Sequence, residues 1–366
     1  MIKFNKTFPN IVVYTPTEND LNHLNTIRDF LNTRQIPYEE DSDVFGVFHL
    51  NDRTLQLRYV NSYYHPMDNS KRFGDKCKGI PHNYFIDISH CNADNNIRTI
   101  WIFDFEMEQT NTIVKDGVEI TDYHRQWEVI KNTICTACGK IDTRIYARDC
   151  EVREITNREA RPFLDTNCFY GYRSATNTVA LFLKKDKGNL KKGTMLMVYS
   201  FGHGFYANKK HQEDPSIEII RVSTTIGVQV IGGMSKCLKH FMLEHPTMEI
   251  GGKTVNANNF LFYCDASHND GRGMEVGALN FDFINWDGAG FFNLPLVDLD
   301  VTLERDGKKV RLVAEKGKPF HRKPMFHSAI MKLIEEGKLV SVANAGTSVY
   351  RITRDKFLGR FDENNN

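Results

Sequence analysis

The apolar pattern of this 366-residue chain changes character once, near Cys150, and that change limits the folds open to it. Before it, residues 18–31 carry Leu21, Leu24, Ile27 and Leu31 at helical spacing behind a candidate N-cap, Thr17. Residues 45–50 and 55–59 are short alternating runs joined by Asn51-Asp52-Arg53, which predicts a β-hairpin. Polar, glycine-containing residues 66–82 predict a loop, residues 99–105 a buried strand and residues 122–134 a second helix. Helix, hairpin, loop, strand and helix make a small α/β module.

After Cys150 the predicted elements are strand 151–155, helix 158–164, a hairpin of 179–183 with 194–201, strand 217–222, helix 235–243 and strand 260–264. A chain of this length exceeds one ordinary core, so two consecutive domains are expected, residues 1–144 and 145–366. An aromatic- and glycine-rich insertion is expected near residues 282–318, with Trp286, Phe291 and Phe292 read as satellite core rather than a base-stacking platform. No internal repeat is evident.

Composition is that of a globular protein, 41% hydrophobic and 25% charged. Every apolar run falls short of the roughly 20 residues that span a bilayer, so no membrane is expected. The start, Met1-Ile2-Lys3-Phe4-Asn5, lacks the long apolar stretch of a secretory signal, which points to the cytoplasm. There the eight cysteines would be free thiols or metal ligands. A net charge of +1 neither demands nor excludes nucleic acid. Local basic clusters (184–185, 191–192, 209–211 and 321–323) read first as solvated loop tips.

Two stretches carry a family resemblance. LQLRYVNSYYH (residues 55–65) and IRTIWIFDFE (97–106) look like the core signatures of phage homing endonucleases, relatives of the very-short-patch repair nuclease. IYARDCEVREITNREARPFLDTNCFYG (145–171), with later pieces through Lys236, is similar to the C-terminal half of the same proteins. That run also resembles the GNAT acyltransferase fold and, more remotely, the Mom DNA-modification enzyme of phage Mu. The resemblance implies a restriction-endonuclease-like module followed by a GNAT-like mixed-sheet domain, acting on DNA in a phage-infected bacterial cell.

Such nucleases use clustered carboxylates to hold Mg²⁺, which activates water and steadies the attacked phosphate. Placed without a gap, the family's hairpin acids fall on Val47 and Arg58. His65 matches the family histidine, and His82 is a candidate for a second. A shifted register would instead recruit Asp43, Asp52 or Asp104 with Glu18. The favoured expectation is a DNA-associated descendant whose cleavage is lost or weak. The alternatives are an active Mg²⁺-dependent endonuclease, a GNAT- or Mom-like transferase, and a non-catalytic protein that binds a host factor.

In the second domain Gly232-Gly233 opens a helix, a turn type that can present amides to the pyrophosphate of acetyl-CoA. Ser235, Lys236 and Arg221 are candidate contacts for phosphate of DNA or cofactor, and Arg58 is placed with them. Asp265, His268 and Tyr263 are candidates for an acyl or modification reaction, with Asp265 or His268 as general base. Cys135 and Cys138 form a lone CxxC, a weak zinc candidate because a closed site needs a second ligand pair.

Overall fold

The structure, a computed structural model, describes residues 3–4, 12–107, 111–115, 118–122, 126–203, 216–250, 253–269, 271–276, 279–288, 290–305, 307–321 and 327–363. The basic cluster at 209–211 and most of that at 321–323 lie outside these residues. The architecture is mixed α/β, with helices and several separate sheets.

In the first unit, α1 (Glu18–Thr33) leads to β1 (Tyr38–Glu40), β2 (Val47–Leu50) and β3 (Leu55–Val60), then α2 (Tyr84–Asp94) and β4 (Arg98–Phe103). The four strands pair in that order, antiparallel except for the parallel β3–β4 pair. Parallel neighbours need a crossover, and α2 supplies it. Its Phe85 packs edge-on against Trp101 and Phe103 of β4, which seats the helix on the sheet. The predicted hairpin stands, while β1 and α2 went unrecognised in sequence. The expected loop contains two short helical turns, Ser70–Phe73 and Asp75–Cys77. The strand expected to reach Phe105 stops at Phe103, and residues Asp104–Met107 form a 3-10 turn.

Next come α3 (Gln126–Ala137), β5 (Cys150–Glu154), α4 (Asn157–Asn167), β6 (Asn177–Leu183), β7 (Met195–His203), β8 (Ile217–Thr224), α5 (Gly233–Glu244), β9 (Asn259–Asp265) and β10 (Asp282–Asp287). Strands β11 (Phe291–Pro295), β12 (Leu299–Arg305) and β13 (Lys308–Ala314), helix α6 (His327–Glu335) and β14 (Leu339–Ala343) follow. The chain then forms β15 (Thr347–Thr353) and α7 (Arg354–Glu363).

A seven-stranded sheet runs β5-β6-β7-β8-β9-β15-β10. Its first four strands are antiparallel, and β9 joins β8 in parallel over only three residue pairs, Ile217–Phe260 to Ile219–Phe262. Helix α5 covers this sheet. Phe241 lies flat on Phe201 with ring centroids 3.7 Å apart, inside a core that includes Leu181, Tyr199 and Phe260. The segment expected to be an insertion from Asp282 begins with β10, which belongs to the sheet itself. The excursion is residues 288–346.

Contacts divide the chain into two compact units that are not consecutive stretches. One contains residues 1–123, 266–270 and 287–347, and the other 124–265, 271–286 and 348–366. The sequence reading placed a single join at residue 145. Pattern along the chain registers where local periodicity changes, not which distant strand completes a core.

Gly271 shows how tightly the second unit is packed. Its φ is +76°, and an added Cβ would lie 2.3 Å from the Tyr350 ring. Gly273 has open space around the same position. We expect Gly271→Ala to cost about 3 kcal/mol in urea unfolding through overpacking and backbone strain. Gly273→Ala should leave the midpoint nearly unchanged.

Candidate functional site

The first turn of α1 carries a buried carboxylate. Thr17 caps the helix, and Asp20 at the third position returns the hydrogen bond, so the two form a capping box. Asp20 Oδ2 accepts from the Thr17 amide and hydroxyl, both at 2.7 Å. Its Oδ1 accepts from the Tyr59 hydroxyl and the Asn61 amide, both at 2.8 Å. Burial opposes the charge, but the bonds from Thr17, Asn61 and Tyr59 outweigh it and hold the Asp20 pKa below its ordinary value. Because Tyr59 gives its proton to Asp20, the His23 Nδ1 at 3.0 Å must donate to the Tyr59 oxygen. Tyr59 and Tyr14 are both pushed well above the usual phenol pKa, by burial first and then by the charges of Asp20 and Asp104. Asp104 accepts from the Ser62 hydroxyl at 2.6 Å.

His65 is buried among Tyr14, Tyr84 and Phe85, and its Nδ1 donates to the Asn61 carbonyl at 2.8 Å. Burial pushes its pKa down to about 4, so the ring is neutral at physiological pH. Val47 and Arg58 stand directly opposite each other in the β2–β3 ladder. The Arg58 guanidinium lies 5.3 Å above the Trp101 ring and donates to Gln56 at 2.9 Å. The two positions at which the nuclease resemblance would call for acids thus hold one apolar residue and one cation stacked on an indole.

Other expected residues lie elsewhere. Glu18 is exposed on the first turn of α1, and Asp20 is the inward acid. His82, Asp43 and Asp52 are exposed. The residues that sequence reasoning missed are Asp20, Tyr59 and Asn61. A signal existed, because Asp20 continues the stripe of Leu24, Ile27 and Leu31 that the helix buries. Leu21, assigned to that stripe, is 47% exposed. Around this polar centre sits an aromatic surface. Tyr14 stacks on Tyr64 at 4.4 Å, Tyr63 meets Tyr64 edge-on, and Tyr63 is 59% exposed.

In the second unit, Asp265 accepts from the Tyr170 hydroxyl at 2.6 Å. Arg221 faces the Tyr170 ring and donates to the carbonyls of Gly171 and Ile220. His268 bonds to Glu106, also in the first unit. Gly232 caps α5 in the left-handed region, at φ +75°. Gly233 lies so close to Met197, Val230 and Leu181 that a Cβ would be 2.9 Å from the first two. Packing accounts for Gly233 without a cofactor. Ser235 is half-buried, and the Lys236 ammonium turns to the carbonyls of Ala147 and Cys150.

Cys135 is buried in α3, and Cys138 lies just past its end. Among the described residues no group of three or more His, Cys, Asp or Glu is arranged to hold a metal, and no helix is long and apolar enough to cross a membrane. Magnesium does not fit the Asp20 centre. Both of its carboxylate oxygens already accept two hydrogen bonds each. Compared with protein-family models and with curated proteins, the chain matches none.

The two shifted groups act in different pH ranges. An unfolded histidine titrates near 6.5, so unfolding takes up a proton at His65 between about pH 6.5 and 4. Its stabilisation is whole above that window and is lost as pH falls through it, amounting to about 3 kcal/mol. Asp20 is lowered from the ordinary carboxylate value, so its contribution is whole above about pH 4 and is lost below. Urea unfolding across pH should therefore show a two-stage acid limb. His65→Gln should flatten the upper stage, and Asp20→Asn the lower.

Proposed function

We propose that this is a phage-type, DNA-associated protein descended from a homing endonuclease, whose cleavage centre has become a closed structural core. The observation that carries the reading is the saturation of Asp20 by four hydrogen bonds, beside a hairpin that offers Val47 and Arg58 where acids would be required. A carboxylate with both oxygens doubly engaged must break two or more bonds, and strand Tyr59 and Asn61, before it can ligate a metal. A histidine held neutral with a pKa near 4 is also a poor base for activating water at neutral pH.

Strand order supports the ancestry. The first unit contains helix, three antiparallel strands, crossover helix and a parallel fourth strand, a small α/β core in keeping with the restriction-endonuclease-like reading. The second unit's sheet begins with an antiparallel run, then has a briefly paired parallel neighbour and a final strand inserted before the edge. That mixed sheet is in keeping with the GNAT-like reading of this unit. Tyr63, 59% exposed beside the half-buried Tyr14–Tyr64 stack, suits contact with nucleic acid, since an exposed ring offers a stacking face to a base.

Incubation with supercoiled plasmid in Mg²⁺ or Mn²⁺ separates binding from cutting. We expect a mobility shift at low salt, weakening steeply as salt rises, and no nicked or linear product. Nicking by the purified chain that disappears in Asp20→Asn or His65→Gln would overturn the proposal.

A further inference from the structure

The second unit has a groove of about 360 Å³ beside β5 and α5, and its positive charges are held in an uncommon way. Surface lysines ordinarily pair with acids or sweep through solvent. Here Lys236 Nζ donates to the carbonyls of Cys150 at 2.6 Å and Ala147 at 2.9 Å. Lys184 Nζ donates to the carbonyl of Arg148 at 3.1 Å. Lys239 Nζ lies 4.0 Å from the centre of the Phe361 ring. All three line the groove together with His240. Their partners are neutral, so no acid among these contacts offsets the positive charge, and two bonds hold Lys236 in place.

An ammonium has three donors. Lys236 uses two on carbonyls and Lys184 uses one, which leaves donors on both for a ligand. The acid on the groove wall, Glu151, is paired with Arg153. The groove therefore presents an excess of cations, and an anion that meets Lys236 finds a side chain already ordered.

The form of the anion follows from the strand edge. Lys184 N donates to Asp149 O and Ile155 N to Thr178 O, so alternation along the ladder turns the Cys150 carbonyl away from β6. Lys236 caps that outward carbonyl. A lysine laid across an edge obstructs strand pairing, which disfavours an acidic peptide added as an extra strand. Three point-charge ammoniums, with His240 the one ring among the lining side chains, suit phosphates instead.

We infer that this groove is a sequence-independent seat for the phosphodiester backbone of DNA, an inference that rests on the DNA-associated reading above. Lys184 and Lys239 contact phosphates directly, and Lys236 both contributes charge and fixes the turn at residues 147–150. The site lies in the other unit from the Asp20 centre and needs no metal.

Fluorescence anisotropy of the full chain on a short duplex, across a salt series, tests it. In Lys184→Ala/Lys239→Ala the log–log salt slope should become shallower by about two, one per lysine, with affinity lowered alike for unrelated sequences. Lys316→Ala, an exposed lysine of the first unit, serves as the comparison and should alter the slope by less than the pair. Thermal unfolding checks that the pair folds, and Lys184→Gln/Lys239→Gln replaces it if it does not. Wild-type binding with an unchanged slope in the double variant overturns the groove and leaves the DNA reading standing. Failure of the wild type to bind duplex even at low salt overturns both. Calorimetric binding of a nucleoside triphosphate that is lost in the double variant, while duplex affinity is unchanged, assigns the groove to free nucleotide phosphates and overturns the DNA seat.

Discussion

Four hydrogen bonds to one carboxylate organise the first unit. Asp20 joins the start of α1 to the end of β3, because Thr17 approaches from the helix side and Tyr59 and Asn61 from the strand side. A buried charge is tolerable only when its lone pairs are met, and here the donors come from both elements that must pack together. The bond also propagates. Asn61 holds His65 through its carbonyl, and Tyr59 fixes the tautomer of His23. A polar cluster of this kind specifies one register of helix on sheet, which an apolar contact alone would specify less sharply.

Much of this unit was readable from pattern, and the misses have physical causes. The hairpin and α1 follow from periodicity and from Thr17. Counting only apolar residues put Leu21 on the inner face, yet the helix buries Asp20 in that stripe and leaves Leu21 in solvent. Hydrophobic spacing cannot register a polar residue whose burial depends on donors some 40 positions away, as Tyr59 and Asn61 are. Helix α2 escaped notice because its buried residues, Tyr84, Phe85, Ile86 and Ser89, crowd its first half and follow a polar loop. Val47 and Arg58 were legible as departures. Only the ladder places them side by side, with Arg58 over Trp101.

The second unit teaches a different lesson about glycine and lysine. Gly232-Gly233 reads in sequence as an anion-binding turn, while Gly233 is required by its approach to Met197 and Val230. Lys236 reads in sequence as a phosphate contact at the helix start, and two of its ammonium donors go to carbonyls of the segment 147–150, those of Ala147 and Cys150. Which way a long side chain turns depends on acceptors brought near by tertiary structure, and no spacing rule records that.

The interleaved division of the chain has a consequence for how the protein is made. The first unit takes in strands β11 and β14 and helix α6, and these come from residues beyond 287. A chain growing from its N-terminus can form α1 and its sheet early, but the rest of that unit waits until most of the sequence has been synthesised. The intervening residues 124–265 have meanwhile emerged and can begin collapsing on their own. Closing the first unit thus depends on contacts of long sequence separation, which form slowly because a large loop must be closed first. A fragment cut at residue 144 would lack those late strands, so a boundary chosen from local pattern would yield an unfinished core.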